Sequence, residues 1–272
     1  MGMDKWNARH FARLCREHGI RGSCLTLGRQ GMGFDVQDML QLLLDFGFAE
    51  RVGNEVNLAP DNPLLRRHNE ARARGRDYAQ DNAKDPYLDA FLLPALGFDP
   101  VHTLDASAYE GATHIHDLNL PGANLAVPQR YDAILDLGTI EHIFHVPNVL
   151  QNIFSMLNVG GFVYHVLGSN SYIDHGFYQF SPTFFLDYYS ANRFKIHLLQ
   201  LGRCIGKLGR DPVMYFDYVP KSLEDAVVDG IGGGAFMVLA LVQKTEDSVC
   251  DQIPQQGRYS AADIWQHGKQ SS

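Results

Sequence analysis

Cysteine is scarce in this chain: Cys15, Cys24, Cys204 and Cys250 are the only four in 272 residues, far apart and with no CxxC pair. That excludes a disulfide-stapled scaffold and a paired-thiol zinc site, and reduced thiols in a cytoplasmic protein are the natural expectation. Cys24 reads as plain core. Long apolar runs are missing as well; none approaches the roughly 20 residues needed to cross a bilayer. The opening MGMDKWNARHFARLC lacks the apolar centre of a signal peptide. Positive charge is in deficit, 23 Lys and Arg against 31 Asp and Glu, for a net charge of −8. A general nucleic-acid binder needs the opposite excess to meet phosphates. The expected partner is a small-molecule acceptor, with neither nucleic acid nor membrane involved and with a homodimer left open.

The chain is 45% apolar, enough at this length to bury one large α/β core. Residues 5–19 read as a helix closed by Gly19, residues 23–28 as a first strand, and Asp35 caps a helix through VQDMLQLLLDFGF. An Arg-rich polar stretch follows at 60–86, read as a solvated helix or loop. From residue 87, apolar helices and short strands alternate, the pattern of a mostly parallel sheet covered on both faces. Helices are expected at 87–96, 146–158 and 182–191, and strands at 100–105, 113–117, 131–137, 161–167, 194–201 and 235–243. With the first strand these make seven. The expectation is one domain over 1–250, a helical insertion at about 30–86 acting as a lid or substrate wall, and a polar tail over 251–272.

Open α/β sheets bind ligands beyond the carboxyl ends of their strands, and those ends are polar here. The first strand runs into Gly28, Arg29 and Gln30, the second ends in Asp105, the third in Asp117 and the fourth in Asp136. A carboxylate closing the second strand is suited to accept from both hydroxyls of a ribose.

The run YDAILDLGTIEHIFHVPNVLQNIFSMLNVGGFVYHV, residues 131–165, resembles the central motif of class I S-adenosylmethionine-dependent methyltransferases: a strand, an acidic and glycine end, Glu-His, a helix, and a Gly-Gly turn into the next strand. The LGRQ and GFYQFSP segments resemble a bacterial branch of that superfamily with an altered glycine loop. The resemblance covers roughly residues 20–30 and 87–243. It implies a Rossmann-like, seven-stranded sheet whose last strand is antiparallel, with S-adenosylmethionine as cofactor. Carried over, Gly28 approaches the methionine part, Asp105 the ribose, Asp117 and Leu118 the adenine, and Asp136 and Gly138 lie beside the sulfonium. The chain departs from the family's glycine loop at Thr26, Gln30 and Met32. Gln30 must turn its side chain away if its backbone is to touch the ligand, with Gly31 and Gly33 available to make the bend in a shifted register.

Histidines crowd the middle of the chain at positions 114, 116, 142, 145, 165 and 175. His114 and His116 alternate, so a strand there would place them on one face. His142 and His145 stand three apart and, with Glu141 or Asp174, have the residue types of a metal site; no metal ligand is assigned, and pocket histidines are the competing account. Glu141, His142 and His175 are the catalytic candidates, His142 or His175 as base, with Asp174 beside His175 as its possible carboxylate. The aromatics after the fifth strand divide into a loop set, Phe177, Tyr178 and Phe180, suited to a substrate wall, and a helical set after 182 suited to core. The function expected is methyl transfer to an O or N acceptor. Two alternatives stand beside it: a cofactor-free binding or regulatory protein on the same fold, and a histidine-ligated metal enzyme.

Overall fold

The computed structural model describes residues 2–48, 66, 69–70, 88–223 and 232–259. Most of the expected insertion at 30–86 and the end of the polar tail lie outside the described residues. The first helix, α1 (Lys5–His18), starts where the Asp4 carboxylate accepts from the Trp6 and Asn7 amides, and it stops at Gly19 in the left-handed conformation. β1 (Gly22–Leu27) follows, almost wholly buried. α2 (Val36–Asp45) is capped by Asp35 as its sequence predicts. After the insertion come α3 (Asp89–Leu96), β2 (Phe98–Asp105), β3 (His114–Ile115) and β4 (Tyr131–Asp136). α4 (Val146–Met156), β5 (Leu157–Asn170), α5 (Pro182–Ala191), β6 (Lys195–Cys204), β7 (Val213–Asp217) and β8 (Ala235–Gln243) complete the chain.

All the strands join one sheet in the order β3-β2-β1-β4-β5-β8-β6-β7. The pairs from β3 to β5 are parallel, and β8 runs antiparallel to both β5 and β6. This is the Rossmann-like arrangement expected, with the final strand reversed. The count differs: among the described residues the sheet has eight strands rather than seven, because β7 adds an antiparallel edge beside β6. β7 reads Val-Met-Tyr-Phe-Asp, an apolar, strand-prone run that is not among the strands expected from the sequence, and only Val213 of it is buried.

Interior strands are apolar on both sides because both sides are covered. Along β8, Met237, Leu239 and Leu241 join the core under α1, α2 and α3, while Val238, Ala240 and Val242 join the core under α4 and α5. α4 passes into β5 without a loop, and a buried lysine compensates for its unfinished end: Lys244 Nζ donates to the Phe154 carbonyl at 2.7 Å and the Leu157 carbonyl at 2.9 Å, above the Phe154 ring. Strand order reverses between β1 and β4. The chain leaves β1 toward β2 on one side and returns to β4 on the other, opening a crevice at the carboxyl ends of both.

Candidate active site

That crevice is a cleft of about 340 Å³, within the size range of small-molecule sites. β1 contributes Gly28, β2 contributes Leu104 and Asp105, and the turn after β4 contributes Gly138, Thr139 and His142. Asp117, Leu118 and Asn119, just past β3, close the far side. Gly28 has φ +70°, and its amide donates to the Leu104 carbonyl at 2.7 Å. A Cβ there would stand 3.1 Å from Thr139 Oγ1 and 3.8 Å from Asp105 Oδ2. Glycine is therefore needed twice, for the left-handed turn and for the open space between those side chains. The Thr139 hydroxyl donates to the Leu27 carbonyl, tying the two strand ends together. Asp117 accepts from the amide and side chain of Asn119, which hold its carboxyl below the usual range.

Of the expected cofactor residues, Gly28, Asp105, Asp117, Leu118 and Gly138 line this cleft. The Gln30 and Asp136 side chains do not, and for Gln30 this is the turned-away side chain that backbone contact with a ligand would require. The Gln30 side chain folds inward, donating from Nε2 to the Leu27 carbonyl at 2.6 Å and the Gly28 carbonyl at 3.3 Å. The altered glycine loop is thus braced from within by its own substituted residue. Gly31 and Gly33 do not make the bend either; neither has positive φ, and both hydrogen-bond the strand-like Met3. Asp136 is wholly buried, bonded through Oδ2 to His165 Nδ1 at 2.7 Å, while Oδ1 receives the amides of Thr139 and Ile140. His165 passes the chain on to the Tyr189 hydroxyl at 2.6 Å. This buried Asp-His-Tyr link shapes the turn under the cleft without facing it.

The histidines divide among separate places. β3 ends at Ile115, so His114 and His116 do not share a strand face: His114 packs against His102 with ring centroids 4.9 Å apart, and His116 lines the cleft. His145 is exposed at the start of α4. Glu141, His142 and His175 do come together, offering ligand atoms within 4.8 Å of one another. His175 Nε2 stands 3.9 Å from Glu141 Oε1, so the carboxylate facing this imidazole is Glu141 rather than the sequence neighbour Asp174. The loop after β5 delivers His175, because the amides of Phe177 and Tyr178 both donate to the Glu141 carbonyl.

Glu141 is the most unusual side chain of the group. It is 1% exposed, and among the described residues neither carboxylate oxygen has a hydrogen-bond partner. Burial and the nearby Asp136 push its pKa up to about 7. Burial also lowers both imidazoles below their ordinary value, and the proximity of His175 adds to the effect in His142. Such displaced titrations in a cleft are characteristic of functional groups. The loop aromatics Phe144 and Phe177 stack edge to face nearby at 5.8 Å and are 59% and 66% exposed, an apolar rim beside the polar cluster. Phe185 and Tyr189 of α5 are core instead, as is Phe180 of the loop.

Several lining residues were not singled out by sequence reasoning. Glu110, Asn119 and Ile143 reach the cleft from loops, where no periodicity marks which side chains turn inward. His116, one position beyond β3, carried the signal of a strand end and was legible in principle.

No protein-family model matches this chain, and no curated protein does. Solved structures similar to it include the O-methyltransferase of the trans-AT PKS multienzyme of Brevibacillus brevis, in complex with S-adenosyl-L-homocysteine, at 12% identity over 89% of this chain and 73% of that one, TM-score 0.42. TehB from Haemophilus influenzae is 16% identical over 57% of this chain, TM-score 0.38, and the match spans 52% of TehB's length. The N-methyltransferase NodS from Bradyrhizobium japonicum is 15% identical over 69% of this chain and all of its own, TM-score 0.34. Among the described residues no helix is long and apolar enough to cross a membrane.

Proposed function

We propose that this chain is an S-adenosylmethionine-dependent methyltransferase acting on an oxygen or nitrogen of a small molecule. The observation that carries this reading is the cleft at the strand-order reversal, where a left-handed Gly28 leaves open the space between Thr139 and the Asp105 carboxylate. The residues present fit the cofactor. Asp105 would accept from the ribose hydroxyls, Leu118 would offer the adenine an apolar seat beside Asp117, and Gly28 and Gly138 would let backbone approach the methionine portion. When bound, the cofactor supplies an electrophilic methyl group whose C–S bond breaks, its electron pair going to sulfur, as the acceptor's lone pair takes the carbon.

The protein's part is alignment and proton removal. His142 reaches from the cleft wall and His175 meets it from the loop, two neutral imidazoles able to receive the acceptor's proton. Glu141 faces His175 and orients it. The exposed Phe144 and Phe177 would shelter an apolar portion of the acceptor at the rim. Calorimetric titration with S-adenosylhomocysteine tests the reading. One equivalent should bind per chain, and Asp105→Ala should weaken it by about 10- to 100-fold, the loss of charge-assisted hydrogen bonds worth about 1.5–3 kcal/mol. No binding to the wild-type chain would leave the cofactor-free binding or regulatory protein as the better account.

A further inference from the structure

We propose that Glu141, His142 and His175 form a binding site for a first-row dication of the zinc class, open to solvent beside the cleft. Three observations converge. Each residue presents a donor atom, and the three atoms lie within 4.8 Å of one another. The Glu141 side chain is 1% exposed, yet among the described residues neither of its oxygens has a hydrogen-bond partner. Desolvating a carboxylate without compensation is costly, and a cation is the ligand that an unpartnered, inward-held carboxylate is short of. The two imidazoles are exposed, with centroids 5.0 Å apart at an interplanar angle of 64°, so their lone pairs can turn toward a shared point while leaving further coordination positions to water or substrate.

Two imidazole nitrogens and one carboxylate suit zinc and its neighbours better than magnesium or calcium, which prefer oxygen. Bonds of about 2.0–2.2 Å in tetrahedral geometry set donor atoms roughly 3.4 Å apart. The 3.9 Å between His175 Nε2 and Glu141 Oε1 is within a small side-chain rotation of that. The backbone is built for the approach: a Cβ on Gly176 would stand 2.8 Å from the Glu141 carbonyl oxygen, so only glycine lets the His175 loop dock this closely. A dication here would occupy the imidazole lone pairs, so in the metal-bound chain His142 and His175 act as ligands rather than bases, and a coordinated hydroxyl, acidified by the cation, would lose its proton to water. That role rests on the methyl-transfer reading; the cation site itself does not.

The test is titration of the chelator-dialysed full chain with zinc chloride, followed by metal analysis after gel filtration. One equivalent should be retained. Glu141→Gln and His175→Ala should each weaken zinc binding by at least about tenfold, since even the partners behind a metal's ligands are worth about 10- to 100-fold. His145→Ala, an exposed histidine outside the cluster, should change nothing. Thermal unfolding of each variant guards against misfolding, and cobalt in place of zinc gives a visible absorption that should appear with the wild-type chain and be lost with either ligand variant. Failure to retain zinc, or wild-type affinity in both ligand variants, overturns the proposal. Titrating S-adenosylhomocysteine in the presence of chelator reads the methyl-transfer proposal separately, so either can fail alone.

Discussion

Replacing Gly28 with alanine separates two roles of one atom position. The residue's φ of +70° lies in the left-handed region, which costs an L-residue with a Cβ about 1–2 kcal/mol. The added methyl would also sit 3.1 Å from Thr139 Oγ1, tighter than an ordinary contact, and Thr139 cannot retreat freely because it donates to the Leu27 carbonyl. Gly28→Ala should therefore lower thermal stability by about 1–2 kcal/mol, roughly 2–8 °C in Tm for a chain of this size. It should also place a carbon between Thr139 and Asp105, where the methionine portion is proposed to lie. Gly28→Asn provides the control, since asparagine tolerates the left-handed conformation better than alanine. It should recover part of the stability while blocking the site at least as fully. Differential scanning calorimetry and S-adenosylhomocysteine titration read the two effects. Undiminished ligand affinity in both variants would refute the placement of the ligand against Gly28.

Other outcomes follow from groups elsewhere in the molecule. His10 is buried, hydrogen-bonded to the Tyr164 hydroxyl and to Gln200 Oε1, and burial lowers its pKa to about 4 from 6.5. Its folded value lies below its unfolded one, so the stability it contributes is present above pH 6.5 and is lost as pH falls toward 4, by about 3 kcal/mol. Chemical denaturation of His10→Gln across that window should show a shallower acid loss than the wild type, and parallel profiles would exclude His10 as the source. Lys244→Met should cost about 1–3 kcal/mol in urea unfolding by leaving the Phe154 and Leu157 carbonyls without their donor; an unchanged midpoint would mean that water replaces the ammonium.

Periodicity made most of the fold readable. α5 begins at Pro182 with Ser181 as its cap, as the Ser-Pro pair predicts, and β8 is a continuous apolar run because neighbours cover both of its faces. β7 is apolar over 213–216 but is not among the expected strands. The site was legible to the extent that strand ends reveal it, which located Gly28, Asp105 and Asp117. Side-chain direction was not legible. Asp136 stands opposite His165 in the register of β4 and β5, and only that pairing shows why it turns inward. Gln30 looked like an intruder in a glycine loop because nothing in its neighbours says that its amide will reach back to Leu27. Glu141 and His175 are 34 positions apart, and the contact that joins them depends on Gly176 passing under a carbonyl.

The ion pair between Arg29 and Asp89, 2.7 Å long and almost wholly buried, has a consequence for how the cleft keeps its shape. Arg29 directly follows Gly28 of the cleft, and Asp89 is the first residue of α3, so the pair clasps the point where the long β1-to-β2 excursion rejoins the sheet. The pair holds the end of β1 to the start of α3 directly, so the strand ends that frame the cleft keep their spacing through a contact made outside the chain that connects them.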